Sequence, residues 1–258
     1  TLTVDASSTV RVIGRSADGQ FPSLLSASTS RTGNAGSLSI TTGELLIQDG
    51  AQVVTATLTS GYGGDLIVNA DELVQISDLA LLVSGSQGTG SAGDLIVNTE
   101  TLAVETGGQI LANTFGEGVG GNLTITATEL VNISGASPNG FESALATSTN
   151  GRENAGDLII ATGTLIVQGG AQVSSETIGS GNAGKLTIAA TELVQVTGSS
   201  EAQTPSRLTS STVGEGSAGE LTIDTLNLLV QDGAQVAAVT SGGAGSSLRV
   251  FADRKSVV

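Results

Sequence analysis

The clearest local pattern in this chain is strict alternation of apolar and polar residues, as in Leu38-Ser39-Ile40-Thr41. Alternation with a period of two puts one face of a strand in a core and the other in solvent. No segment sustains a 3.6-residue periodicity, and β-branched residues and Gly dominate, so helices are not expected. Residues 36–64 hold two further strand-like runs, Glu44-Leu45-Leu46-Ile47-Gln48 and Gln52-Val53-Val54-Thr55-Ala56-Thr57. Thr42-Gly43 and Asp49-Gly50 separate the three runs. Asp-Gly is a strong turn dipeptide, because Gly takes positive φ and Asp hydrogen-bonds the local backbone. Gly61-Tyr62-Gly63-Gly64 closes the segment, so three short strands and three corners make one turn of a triangular solenoid.

The same grammar recurs. The phrase Gly33-Asn34-Ala35-Gly36-Ser37-Leu38 returns as Asn154-Ala155-Gly156-Asp157-Leu158, Asn182-Ala183-Gly184-Lys185-Leu186 and Ser217-Ala218-Gly219-Glu220-Leu221. Its marker leucines are Leu2, Leu38, Leu66, Leu95, Leu123, Leu158, Leu186, Leu221 and Leu248. A period in the twenties to thirties means stacked repeats instead of one closed globular core. Equivalent strands of successive coils should pair in parallel, giving an all-β parallel β-helix of about nine coils with three short strands each. At about 4.8 Å per coil the rod is about 40 Å long. The whole of residues 1–258 reads as a single β-helix repeat segment.

A second layer lies in the spacing: coils of two kinds alternate. One kind carries Ile47-Gln48-Asp49-Gly50-Ala51-Gln52-Val53, repeated as Val167-Gln168-Gly169-Gly170-Ala171-Gln172-Val173 and Val230-Gln231-Asp232-Gly233-Ala234-Gln235-Val236. The other kind carries a longer polar loop before its third strand, at residues 14–23, 135–143 and 198–206. Each loop contains one of the three prolines, Pro22, Pro138 and Pro205. Such insertions should protrude from one edge of the rod, where repeat arrays usually carry recognition. The candidate recognition residues are therefore Asp18, Gln20 and Phe21, then Asn139, Phe141 and Glu142, then Glu201 and Gln203. Phe21 and Phe141 occupy corresponding loops and are expected to cap them by packing on the rod.

Composition narrows the function classes. Aromatics are 2% and charged residues 13%, yet Leu, Ile, Val and Ala are too abundant for a disordered chain. The formal net charge is −15, which disfavours nucleic acid and anionic membrane surfaces, since both select clustered Lys and Arg. Arg254-Lys255 is the one basic pair. No Cys and no His are present, which excludes disulfides and the usual zinc spacings. No apolar run reaches the length of a membrane-spanning helix, so membrane insertion is not expected. The opening Thr1-Leu2-Thr3-Val4 is already strand-like, as expected of a segment of something longer.

A β-helix invites comparison with polysaccharide lyases and hydrolases, whose sites gather carboxylates and basic groups in a sugar-binding groove. Here the carboxylates follow the repeat. One column is Asp65, Asp94, Asp157 and Glu220, interrupted by Asn122 and Lys185; another is Glu44, Glu72, Glu129 and Glu192, broken by Thr101 and Thr164. Solvated corner positions in a duplicated unit explain both columns. Calcium would suit stacked Asp side chains, but the nine-residue period of calcium-binding β-rolls is absent. Tyr62, Phe21, Phe115, Phe141 and Phe251 are too dispersed for a sugar platform, and exposed Thr is not kept in register as ice-binding solenoids keep it. No phosphate-binding glycine loop exists, and no nucleophile can pair with His. No catalytic residue, cofactor or metal ligand is assigned.

The phrases Gly-Asn-Ala-Gly-x-Leu-x-Ile and Val-Gln-Asp-Gly-Ala-Gln-Val, with the loop Asp18-Gly19-Gln20-Phe21-Pro22-Ser23, resemble the filamentous haemagglutinin-like large exoproteins, the cyanobacterial members above all. The resemblance covers essentially the whole chain. It implies a right-handed parallel β-helix passenger of two-partner secretion, exported through an outer-membrane transporter barrel. It further implies a secreted or cell-surface, adhesin-like role toward a cell-surface glycan or protein. The Asn-Pro-Asn-type motifs of the family's secretion domain are not visible in this segment.

Overall fold

The computed structural model describes residues 1–243 and 245–252; Ala244 and the pair Arg254-Lys255 lie outside the described residues. These residues form eighteen β-strands and no helix, so none is long and apolar enough to cross a membrane. Coil 1 holds β1 (Leu2–Asp5), β2 (Thr9–Ile13) and β3 (Leu24–Ser26). Coils 2 to 5 hold β4 (Leu38–Gln48) and β5 (Gln52–Thr57), β6 (Leu66–Ser77) and β7 (Leu81–Ser86), β8 (Leu95–Glu105) and β9 (Gln109–Thr114), β10 (Leu123–Ser134) and β11 (Ala144–Thr149). Coils 6 to 9 hold β12 (Leu158–Gln168) and β13 (Gln172–Thr177), β14 (Leu186–Thr197) and β15 (Arg207–Thr212), β16 (Leu221–Gln231) and β17 (Gln235–Thr240), and finally β18 (Leu248–Ala252).

The even-numbered strands from β4 onward, with β1 and β2, make a ten-stranded sheet; β3 and the odd-numbered strands after it make an eight-stranded one. Every pairing within these sheets is parallel. The chain is a parallel β-helix. All nine marker leucines pair in one unbroken register line from Leu2 to Leu248. Those from Leu38 to Leu221 are fully buried. Alternation along each strand turns the branched aliphatics inward, so the core is a column of Leu, Ile and Val running the length of the rod.

The first two runs of each coil are separate strands only in coil 1. In coils 2 to 8 they join into one strand that carries a register irregularity near its middle, as between Thr42 and Glu44. In coils 2, 4, 6 and 8 a threonine makes this corner: Thr42, Thr99, Thr162 and Thr225 each donate a hydroxyl hydrogen bond to the carbonyl two residues ahead. The intervening coils have Ala70, Ala127 and Ala190 there, and their strands β6, β10 and β14 are one residue longer. The two-coil unit is thus written into the corner as well as the loops.

The side that carries the glycine phrase forms no continuous ladder. Successive coils are joined there by sparse backbone bonds, such as Gly63 N–H to Ser91 O (2.8 Å) and Ala155 N–H to Asn182 O (3.0 Å). Its remaining carbonyls need donors, because a buried polar group without a partner is costly. In several coils the eight-stranded sheet supplies them from inside the rod. Buried Ser84, Thr147 and Ser210 donate hydroxyls to Gly93 O (2.7 Å), Gly156 O (2.7 Å) and Gly184 O (3.1 Å). With this hydroxyl seam the third wall needs only small side chains of its own, the buried Ala155, Ala183 and Ala218. Coils approach so closely here that a Cβ added to Gly184 would stand 1.9 Å from Gly156 O.

Candidate functional site

The three long loops leave the rod at one corner, between β2 and β3, β10 and β11, and β14 and β15. They share one miniature hairpin. Arg15 bridges Pro22, Ala136 bridges Glu142, and Ser199 bridges Pro205, all antiparallel. Inside each, a serine N–H closes the hairpin: Ser16 to Phe21 O, Ser137 to Phe141 O and Ser200 to Thr204 O, at 2.7–2.8 Å. The first residue of each loop (Gly14, Gly135, Gly198) and a tip residue (Gly19, Gly140, Gln203) have positive φ. That conformation favours Gly at the tip, and Gln203 tolerates it in the third copy.

Two features fix the hairpins, and neither stands out in the sequence alone. Ser23, Ser143 and Ser206 end the loops, and each donates its hydroxyl 2.7 Å to the carbonyl that precedes its loop, of Ile13, Ser134 and Thr197. Ser143 and Ser206 also accept the N–H of Gly107 and Gly170 in the preceding coil. Those glycines are landing sites. A Cβ on Gly170 would stand 2.6 Å from Ser200 Cβ, and one on Gly107 would stand 2.9 Å from Phe141 O. The Gly107-Gly108 and Gly169-Gly170 pairs, each one coil ahead of a loop, are the signal that could have revealed them.

The hairpins of coils 5 and 7 stand two coils apart, about 10 Å. Between them lies a cleft of about 630 Å³ lined by Ser137, Pro138, Gly169, Ser199, Ser200 and Glu201, among others. Of the candidate residues, Glu201 lines this cleft; Asn139, Phe141 and Gln203 belong to its hairpins without lining it. Asp18, Gln20 and Phe21 sit on the coil-1 hairpin, four coils from the coil-5 one, so the eight candidates form no single patch. Glu142 is tied down: its carboxylate accepts Gln172 Nε2 at 2.6 Å and its carbonyl accepts Gln109 Nε2 at 3.2 Å. The expected aromatic caps are not found. Phe21 is 68% exposed and Phe141 59% exposed, because each follows a turn that lifts it off the rod. Asp18 accepts from the Ser16 hydroxyl and the Gln20 N–H, which together hold its carboxyl below the ordinary range. A larger hollow, about 730 Å³ beside Asp224 and Phe251, has Asp224 as its one titratable lining residue among the described residues.

The first acidic column has a structural role. Asp65 Oδ1 accepts the N–H of Asp94, Asp94 Oδ1 that of Asn122, Asn122 Oδ1 that of Asp157, and Asp157 Oδ1 that of Lys185, at 2.8–3.1 Å. Asn interrupts the charge without interrupting the ladder, since its amide oxygen accepts as well. Glu220 continues the column through an ion pair with Arg249 (2.8 Å). The second expected column is not one register line. Glu44 pairs with Leu73, and Thr101 with Leu73 and Leu130. Glu72, Glu129 and Glu192 fall inside the register breaks at the corner.

Glu100, outside both columns, joins that corner. The charge and hydrogen bond of the Glu129 carboxylate, with a smaller contribution from the charge of Glu72, raise its carboxyl above the ordinary value. A raised carboxyl favours the protonated form in the folded state, so ionised Glu100 costs stability at neutral pH. That cost disappears as pH falls through the raised value. Glu100→Gln should therefore raise the thermal midpoint at pH 7, with the gain shrinking to nothing by about pH 4. Midpoints of both proteins measured from pH 7 to 4 check this. No group of three or more metal-ligating side chains occurs among the described residues.

No family model matches the chain, and neither a curated protein nor a solved structure does.

Proposed function

We propose that this chain is a non-catalytic structural rod of a secreted or cell-surface adhesin-like exoprotein, exported through an outer-membrane transporter barrel. It contacts a cell-surface glycan or protein through its corner hairpins, or spaces such a contact from the surface. The observation that carries this reading is the contrast between one hairpin backbone and three different tips. Ala17-Asp18-Gly19-Gln20-Phe21, Pro138-Asn139-Gly140-Phe141 and Glu201-Ala202-Gln203-Thr204 are presented by the same hydrogen bonds from the same corner. A scaffold that holds geometry and varies chemistry suits recognition. The carboxylates of the Asp65 column, meanwhile, are engaged in stacking the coils.

A deletion tests it. Coil 3 turns the same corner with only Asp78-Leu79-Ala80 between its strands, so that tripeptide can replace residues 135–143 without breaking the rod. On a glycan array the wild-type protein should bind a defined set that the shortened variant loses, with unchanged circular dichroism. Equal binding by both would remove the hairpins from recognition, and binding by neither would leave a spacer.

The competing polysaccharide-cleaving reading has one observation in its favour, the carboxyl of Glu100 raised by Glu129. A raised acid beside a second carboxylate is what glycoside cleavage uses. Here the pair lies on an exposed corner. Cleavage of a uronate polymer that vanished in Glu100→Gln would overturn the rod.

A further inference from the structure

The outward face of the eight-stranded sheet differs from the acidic corners that flank it. Its residues alternate with the inward ones from β3 to β17; Gly85, Asn113 and Ser174 among them are buried, and only two are charged, Glu176 and Arg207. The middle row runs Val54, Val83, Leu111, Ala146 in register across four coils, an aliphatic stripe with partial exposure. No register irregularity breaks this sheet, whereas the other is bent at every corner. A face with one charge of each sign, on a chain of net charge −15, is where two copies can approach without bringing like charges together.

We propose that this face is a self-association surface on which a second copy of the chain packs face to face, the two rods parallel. The size is sufficient. Seven six-residue strands with the three-residue β3 cover roughly 700 Å², so two copies bury roughly 1,400 Å², within the range of standard interfaces. The two charges set the arrangement. Arg207 opens its strand in coil 7, and Glu176 is the fifth residue of its strand in coil 6, on the opposite margin of the face. A two-fold axis along the rod lays one margin over the other with coils in register. Arg207 then lies one coil (about 5 Å) along the rod from Glu176 of the second copy, across the roughly 10 Å between packed sheets that two long side chains span, and the pair forms twice. Among the described residues Arg207 is half-exposed and makes no ion pair within its own chain, so its guanidinium can pair outward.

Sedimentation velocity across a concentration series tests the proposal. The wild-type protein should dimerise at about micromolar concentration. Leu111→Lys, at the centre of the stripe, should raise the dissociation constant by about 100-fold. Ala146→Lys serves if the first variant loses its circular dichroism. Gln75→Lys, on the other sheet, should leave the dimer intact. Arg207→Glu should weaken it, and the double exchange Arg207→Glu with Glu176→Arg should restore it. A wild-type protein still monomeric at about 100 μM would overturn the proposal. So would a dimer indifferent to the lysine on this face, or one that the double exchange fails to restore.

Discussion

Gly184→Ala should destabilise the rod by at least about 3 kcal/mol, enough to broaden or abolish a cooperative unfolding transition. The added Cβ would meet Gly156 O at 1.9 Å and the Ser175 hydroxyl at 2.9 Å. Neither can retreat cheaply. The Gly156 carbonyl is the acceptor of the Thr147 hydroxyl, and the coil below it is held by ladders on its other two sides. Relief requires either lifting one coil off the next or breaking the hydroxyl seam. Gly85→Ala provides the contrast. Its Cβ would find its nearest atom, Asn113 O, at 3.1 Å, and its backbone is not left-handed. A shift within about 1 kcal/mol of wild type is expected there, because lost chain entropy in the unfolded state offsets a mild contact. Thermal and urea unfolding of both variants separates close stacking from a general intolerance of side chains.

Leu123→Ala should cost about 3 kcal/mol, or roughly 6–12 °C in midpoint. Leu123 is fully buried in the middle of the rod, paired above and below with Leu95 and Leu158. A solenoid has no alternative packing partner for such a site, since each coil touches only its neighbours. The cavity therefore weakens two coil–coil interfaces together. The same truncation at Leu248, 45% exposed in the last coil, should cost far less. Urea unfolding of the two variants gives the comparison directly, and similar losses at both positions would contradict a one-dimensional core.

The sequence made the stacking legible because its strongest signal, one leucine per coil, is also the register of the sheet: Leu2 to Leu248 pair as the repeat aligns them. The corner hairpins were visible for the same reason, each being an insertion against a constant background. What stayed hidden depends on contacts across the rod and between coils. That Thr147 caps Gly156 O, or that Gly170 receives the coil-7 hairpin, involves residues 9 and 30 or more positions apart with no shared pattern. The merging of two short strands into one was obscured by Thr42-Gly43, which reads locally as a turn and is in fact a corner inside a continuous strand. The second acidic column misled because a one-residue irregularity at each corner shifts Glu72 out of line with Glu44. Phe21 and Phe141 looked like caps by hydrophobicity alone, while hairpin geometry decides where their side chains point.

The non-catalytic part of the proposed function rests on the Asp65 column serving to stack the coils. Asp94 accepts the backbone N–H and the side-chain amide of Asn122 through one oxygen. Thermal unfolding of Asp94→Asn and Asp94→Ala tests it at a single position. The account predicts that Asp94→Asn, which keeps an accepting oxygen as Asn122 does one coil on, unfolds at or above the wild-type midpoint. Asp94→Ala should fall by about 2–4 °C. If Asp94→Ala unfolds with the wild type, the column does not hold the coils together and its carboxylates need another explanation.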